Sequence, residues 1–388
     1  MKTFLRAIPL IFIMLLAIYY LPEIISKNQT DIITPKEESA SIESGSFDYQ
    51  TTELEPEQLR VLGLGSYIGK NVESFTKNFG DPKRIDPTIY GSEQWIFGED
   101  ETDYIQLGVD NGVITELFAL GSDLNVAPFK IGMSITEVFQ IASFYPTYSV
   151  ESQDKQVTLE LTESDLNYRP LVAFDNQAFA VLMMDRSTNK INAIRYLDSS
   201  SLLRLGVYDD GSAEDEDYSI AVDEAEQKTI SEANKRQVYE LVNILRQRNG
   251  LTVLSPNDAL SEAAQTIFID QETQQTSSGQ VEEESSFTES NSLSSSETYI
   301  FDDDSRYGEN NTNQHSPPLT SEQIERTLQG TNLKSAEVSI LYSNQKTDMT
   351  WLVTNWLTLE IERKFLMNAK MTEIGVAYRD RDILLILQ

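Results

Sequence analysis

One histidine, His315, and no cysteine among 388 residues narrow the chemistry open to this chain. Without cysteine there is no thiolate nucleophile, no Cys-ligated zinc and no structural disulfide. A Ser-His-Asp triad would have to use His315, and a zinc site of two or more histidines cannot be built. His315 is therefore either a ligand or base, or an ordinary residue at the surface or core edge. Trp95 and Tyr104 could form an aromatic binding surface, but cross-strand packing is the commoner use of such a pair. Asp81-Pro82 reads as a helix-ending turn. No residue is assigned a catalytic role on these grounds.

The elements that must position such residues fall into two core-forming regions, since roughly 100 to 200 residues make a domain and 40% of the chain is hydrophobic. A net charge of -32 makes DNA, RNA and anionic lipid headgroups poor partners, because binding them requires neutralising phosphates. Cationic ligands and divalent metals remain open, and solubility is the simplest use of so much acid.

At the N-terminus Lys2 and Arg6 precede an apolar run over residues 7–21, with Ile24 and Ile25 beyond Pro22. Basic residues stay on the cytoplasmic side, so the rest of the chain is sent outward. Residues 1–26 thus read as a transmembrane anchor or signal helix. The run falls short of the ~20 residues of a full span, yet no small-x-small cleavage site follows it. The expected location is the cell membrane, single-pass with an extracellular C-terminal region, or else secretion. Absence of cysteine fits the surface of a bacterium without a disulfide-forming compartment.

Residues 27–60 are polar and acidic and read as a disordered stalk, and residues 206–229 as an acidic linker. Residues 271–314 are rich in Ser, Thr, Glu, Gln and Asn and predict a long disordered insertion. Between stalk and linker lies an internal repeat. Ile68-Gly69-Lys70 opens a helix (Val72, Phe75, Phe79) ending at Gly80, and Ile131-Gly132-Met133 opens another (Ile135, Val138, Phe139) ending near Pro146. Strands follow each: 94–97, 104–109 and 113–119 with an Asp110-Asn111-Gly112 hairpin turn, then 157–161, 171–174, 178–184 and 190–197. Two helix-plus-meander units side by side give an α+β domain over 61–205. Neither unit holds a Gly-rich phosphate loop, a metal-spaced cluster or a nucleophile elbow.

From 230 to 388 the pattern predicts helices over 230–250, 257–269, 321–328 and 349–367, with strands at 338–342, 373–378 and 382–387, an α-β-α sandwich. Here the order of residues resembles the CAP superfamily (cysteine-rich secretory, antigen 5 and pathogenesis-related type 1) in its Cys-free bacterial form. Asn243-x-x-Arg246-x-x-x-Gly250-Leu251-x-x-Leu254-x-x-Asn257-x-x-Leu260-x-x-x-Ala264 is similar to the family's first two helices. Trp356-Leu357 through Arg363, Leu366 and Asn368, then Thr372-Glu373-Ile374-Gly375-Val376, resembles its Trp-Leu-Asn-Ser-x-x-His-Arg helix and Ile-Gly-Val-Gly strand. His315-Ser316-Pro317, eleven residues before Arg326, is similar to the His-x-Ser-Pro motif with one residue missing. Ile68-Gly69, Gly80-x-Pro82, Trp95 and Pro128-Phe129-Lys130-Ile131-Gly132 resemble the CAP-associated N-terminal domain.

The resemblance implies a cleft of histidines and glutamates able to hold a divalent metal. His315 takes the first His position. Glu337, in Ala336-Glu337-Val338, keeps the Glu of the Gly-Glu-Asn motif, and Glu362 stands where the second His belongs. A literal Gly308-Glu309-Asn310 precedes His315 and does not fit the order. One imidazole and two carboxylates could hold zinc, manganese or calcium, although no cofactor is required; the other reading is a decayed site whose carboxylates are solvated. The leading expectation is a membrane-tethered, non-enzymatic binding or scaffolding module with an unknown cell-surface ligand or protein partner. The alternative is a metal-dependent hydrolase of cell-wall or peptide substrates, with His315 and Glu337 positioning a metal-bound water. A ligand carrier using an apolar groove between the sandwich layers is a third class.

Overall fold

The computed structural model describes residues 56–152, 155–211, 218–277, 338–343, 348–379 and 382–388. The expected anchor, most of the stalk, residues 278–337 with the helix at 321–328, and the final hairpin turn at 380–381 lie outside the described residues.

Each repeat unit is a helix followed by antiparallel strands. The first holds α1 (Glu73–Phe79), β2 (Arg84–Pro87), β3 (Glu93–Phe97), β4 (Ile105–Asp110) and β5 (Val113–Ala119). The second holds α2 (Ile135–Val138), β6 (Thr147–Ser152), β7 (Lys155–Glu160), α3 (Glu163–Tyr168), β8 (Leu171–Phe174), β9 (Phe179–Asp185) and β10 (Lys190–Leu197), closed by α4 (Ser199–Leu205). With β1 (Gln58–Leu59) the strands form one eight-stranded sheet in the order β1-β8-β9-β10-β5-β4-β3-β2. The sheet therefore begins at Gln58, inside the stretch whose composition reads as stalk.

The repeat has a physical basis in two equivalent glycines. Gly69 and Gly132 sit at φ of +81° and +84°, a region closed to most side chains. Gly69 donates its N–H to Ile114 O at 2.8 Å, and Gly132 donates to Ile191 O at 2.7 Å. Ile114 and Ile191 lie on β5 and β10, the last strand of each unit. Those two strands pair with each other at the centre of the sheet, Ile194 opposite Ala119 and Leu197 opposite Glu116. The expected hairpin turn carries Asn111 at +48° and Gly112 at +79°, the left-handed pair that matches strand twist.

Several elements depart from the sequence reading. Helix α2 is a single turn that ends at Val138, well short of Pro146. Its capping box from Ser134 and Glu137 starts it, but Val138 is its one buried side chain and Phe139 is 59% exposed, so too little apolar face exists to extend it. Strands β6 and β7 leave the main sheet as a separate hairpin, with Tyr148, Val150, Leu159 and Leu161 buried beneath it. Strand β2 was not signalled, being short and carrying Pro87 at the edge.

The C-terminal region holds α5 (Glu224–Arg248), β11 (Ser255–Pro256), α6 (Asp258–Ser277), β12 (Ser339–Ser343), α7 (Met349–Trp356), α8 (Glu360–Leu366), β13 (Glu373–Arg379) and β14 (Asp382–Leu387). Its sheet runs β11-β13-β14-β12, with α6 on one face and α5, α7 and α8 on the other, the expected α-β-α sandwich. Helix α5 starts before residue 230 because Asp223 and Glu226 form a capping box. Helix α6 continues past Gln271, where composition alone sets the start of the insertion. The single helix expected over 349–367 is two: Thr358 Oγ1 donates to Asn355 O at 2.7 Å, and Leu359 is extended at φ -98°, ψ 135°.

The family-like motif residues hold this sandwich together. Arg246 is fully buried and donates to four carbonyls: Thr252 (2.9 Å), Leu366 (2.7 Å), Asn368 (3.0 Å) and Met371 (3.1 Å). Asn243 exchanges two hydrogen bonds with the Leu254 backbone, at 2.9 and 2.7 Å. Asn257 caps α6 through Leu260 N at 3.2 Å. A Cβ on Gly375 would lie 2.4 Å from the Leu260 backbone, so the glycine lets α6 rest directly on β13.

The two regions share one core. Leu171, Val181 and Met183 from one face of the eight-stranded sheet lie in the same buried cluster as Leu241 and Leu245 of α5, Trp351 and Trp356 of α7, and Val376 and Leu385 of the smaller sheet. The other face of the large sheet has its own core, with Leu182, Tyr196 and Phe75. Strands β9 and β10 are buried on both faces, and β9 accordingly reads as an almost continuous apolar run, while β10 buries Asn192 and Arg195 among its apolar residues.

Candidate functional site

Of the three residues implied as metal ligands, Glu362 alone lies among the described residues; His315 and Glu337 lie outside them. Glu362 sits in the first turn of α8 and is 3% exposed. The helix packs against β12, the strand that begins two residues after Glu337. Among the described residues no group of three His, Asp or Glu side chains could hold a metal ion. The donor chemistry of the full set, one imidazole and two carboxylates, suits a hard or borderline divalent cation.

Helices α7 and α8 are held from the large sheet by arginines that sequence patterning does not single out. Arg195 on β10 is buried; it meets Asp348 Oδ2 at 2.5 Å and Thr350 Oγ1 at 3.0 Å, and also donates to Glu116 on β5. Arg204 on α4 donates to the other oxygen of Glu116. Burial opposes the charge on Arg195, but Asp348 and Glu116 outweigh it and hold its pKa above the ordinary arginine range. Burial also opposes ionisation of Asp348; Arg195, the Thr350 hydroxyl and the Trp351 N–H reverse that and leave the carboxyl below its usual range. Asp348 is at the same time the N-cap of α7, accepting from Trp351 N at 3.0 Å.

Further along, Arg169 donates to Asn355 Oδ1 at 3.0 Å and lies 5.4 Å from the centre of the Trp351 ring. Arg186 donates to Thr358 O at 3.4 Å. Arg363 of α8 reaches back to Asp185 at 3.2 Å. On the α5 side, Arg84 bonds both Asp86 and Glu240, Gln237 donates to Asp86 at 3.0 Å, and Arg248 donates to Asn192 O at 2.6 Å. Apart from Arg84 and Asp86, the partners are more than 50 residues apart in sequence, so no local signal announces them.

An open cleft of 660 Å³ lies where the β9–β10 turn meets α8. Arg186 and Ser187 line it from the turn, and Glu360, Arg363, Lys364 and Asn368 from α8 and the residues after it. At about 3.6 residues per turn, Glu360, Arg363 and Lys364 share the face of α8 turned away from Glu362, which does not line the cleft.

No helix among the described residues is long and apolar enough to cross a membrane. Residues 68–208 match the family described as CAP-associated N-terminal, and residues 239–382 match the cysteine-rich secretory protein family. The chain is 33% identical over 202 residues, 52% of its length, to the uncharacterised membrane protein YlbC of Bacillus subtilis strain 168, and it spans 58% of the length of that relative. It is similar in structure to a cysteine-rich secretory protein from Staphylococcus aureus, with a TM-score of 0.66 at 20% identity over 86% of this chain and 94% of that one. An extracellular protein containing an SCP domain from Bacillus anthracis gives a TM-score of 0.62 at 21% identity over 92% and 99%. These two likenesses show the fold.

Proposed function

We propose that this chain, which belongs to the CAP family and carries a CAP-associated N-terminal domain ahead of its cysteine-rich secretory protein domain, is an extracytoplasmic, membrane-tethered module that binds or scaffolds at the bacterial cell surface without catalysing a reaction. The observation that carries this reading is Glu362. It is a buried carboxylate on α8 at the position of the family's second histidine, and the chain has a single histidine in all. The cleft can therefore present one imidazole at most. His315, Glu337 and Glu362 would hold a divalent cation as a ligand-presenting or structural ion, with the two carboxylates favouring calcium or manganese over tight zinc.

The membrane location is supported by Lys2 and Arg6 ahead of the apolar run, by the name of the B. subtilis relative as a membrane protein and by the extracellular description of the B. anthracis protein. Fractionation of cells expressing the full chain, with protease added to intact cells, tests it. The protein is expected in the membrane fraction and accessible from outside; recovery from the cytoplasm refutes the location. The full chain is further expected to release no product from wall fragments or peptides. A turnover abolished by both His315→Ala and Glu337→Ala would replace the scaffold reading with a metal-dependent hydrolase.

A further inference from the structure

We propose that the cleft between the β9–β10 turn and α8 is a binding site for an oxyanion, a phosphate or carboxylate group on a small extracytoplasmic ligand. The site rests on neither the membrane location nor the metal-ligand set.

The turn that forms one wall is fixed by Asp185. Its Oδ1 accepts from Ser187 N at 2.8 Å and Thr188 N at 2.9 Å, and its backbone carbonyl accepts from Asn189 N at 2.8 Å, with Asn189 at φ +52°. Its Oδ2 accepts Nε and Nη2 of Arg363 at 3.3 and 3.2 Å, which neutralises the carboxylate. Arg363 Nη1 donates to nothing among the described residues. Arg186 is held by its Nη1 bond to Thr358 O and by the Tyr168 ring, 5.6 Å from its guanidinium, and its Nε and Nη2 likewise donate to nothing among the described residues. Two guanidinium groups, each held by its other contacts, thus line one cleft with donors to spare.

Planar forks of N–H donors are the side chains best matched to carboxylate and phosphate oxygens. Both forks sit in a chain whose net charge is -32. That contrast limits the ligand. A long polyanion would run onto acidic surface on leaving the cleft, whereas a small molecule or a polymer end carrying one oxyanion would not. Met367 and Ala369 at the rim offer apolar contact to the uncharged part of such a ligand.

The test compares the full chain with two variants, using sodium phosphate and sodium acetate as probes against sodium chloride at equal ionic strength. Ser187→Glu places a carboxylate in the cleft and removes no ion pair, because Ser187 contributes only its backbone N–H to Asp185. Arg186→Gln removes one fork. Lys228→Gln, on an exposed helical site outside the cleft, is the charge control. Generic salting-out stabilisation raises the unfolding midpoint of every variant alike, so the site is read from the difference between them. One of the two anions is expected to raise the wild-type midpoint saturably. The concentration needed rises about tenfold or more in Ser187→Glu and in Arg186→Gln, as loss of a charge-assisted contact implies, and stays unchanged in Lys228→Gln. Phosphate or acetate as the active probe identifies the oxyanion. A wild-type response no different from that of Ser187→Glu, for both anions, overturns the proposal.

Discussion

Arg246→Met removes the four-carbonyl clamp while keeping most of the aliphatic stem. The guanidinium ties the C-terminal end of α5 to Thr252 and to Leu366, Asn368 and Met371 at the end of α8, with all four bonds between 2.7 and 3.1 Å. Hydrogen bonds to a charged donor contribute roughly 1.5–3 kcal/mol each. Their simple sum overstates the loss, because water can reach the half-buried carbonyls once the side chain is gone. Taking about 2 kcal/mol for the fully buried bond to Leu366 O and about 0.5–1 kcal/mol for each of the others gives a loss of about 4 kcal/mol. That is a large share of the ~5–15 kcal/mol by which a folded protein is stable. Arg246→Lys keeps the charge but has a single ammonium that cannot face four carbonyls, so about half of the loss is expected. The assay is urea unfolding followed by tryptophan fluorescence, with the buried Trp351 and Trp356 on α7 as reporters. A loss below about 1 kcal/mol in Arg246→Met would refute the clamp, since it would mean that the carbonyls find other donors at no cost.

Gly375→Ala puts a methyl 2.4 Å from the Leu260 backbone, which only a shift of α6 can relieve. A loss of about 3 kcal/mol, at the top of the overpacking range, is expected in the same urea assay. Asp348→Asn removes the charge that meets Arg195 and weakens the α7 N-cap. Because the folded-state pKa of Asp348 is lowered from the ordinary 3.8, its stabilisation is present above that value and is lost as pH falls through the lowered one. Acid titration should therefore show a smaller drop in stability below about pH 4 for Asp348→Asn than for the wild type. The shared core predicts one cooperative unfolding transition for residues 56–388 by calorimetry, and a fragment of residues 224–388 that exposes Leu241, Trp351 and Trp356 and binds a hydrophobic dye.

Patterning read the strands well because their burial is complete or alternating. Phe179 to Asp185 and Asp382 to Leu387 are buried at every position, and the Asn111-Gly112 turn fixes the register of β4 against β5. The two Ile-Gly openings were legible as a repeat, and their matching positive φ angles give the reason. The Asp223-x-x-Glu226 capping box was a usable signal for the start of α5 and would have placed it correctly. The break at Thr358 was not legible, because Met349 to Met367 keeps an unbroken apolar period and the kink comes from one side chain bonding back to Asn355. Arginine pairing was equally hidden. Arg195 and Asp348 are each unremarkable in their own windows and meet only through the fold. Of the implied ligand set, Glu362 is buried on α8, while His315 and Glu337 lie outside the described residues.

The arginines that bridge the two regions are not spread at random over the contact. Arg195, Arg169 and Arg186 meet Asp348, Asn355 and Thr358 in order along α7 and into the break before α8, and Asp185 then takes Arg363 from α8 itself. Both helices of the pair that carries Glu362 are thus held from the N-terminal region. Surface ion pairs contribute little, but these have one or both partners largely buried, and removing one partner leaves the other charge uncompensated. The N-terminal domain on this account braces the helix pair α7 and α8. A substitution such as Arg195→Met, remote from Glu362, should then loosen α7 and α8 together. Hydrogen exchange would show it as faster exchange over Met349–Leu366 with β13 and β14 unchanged; protection lost equally in those strands would mean global destabilisation, and unchanged protection on α8 would break the link between the two domains.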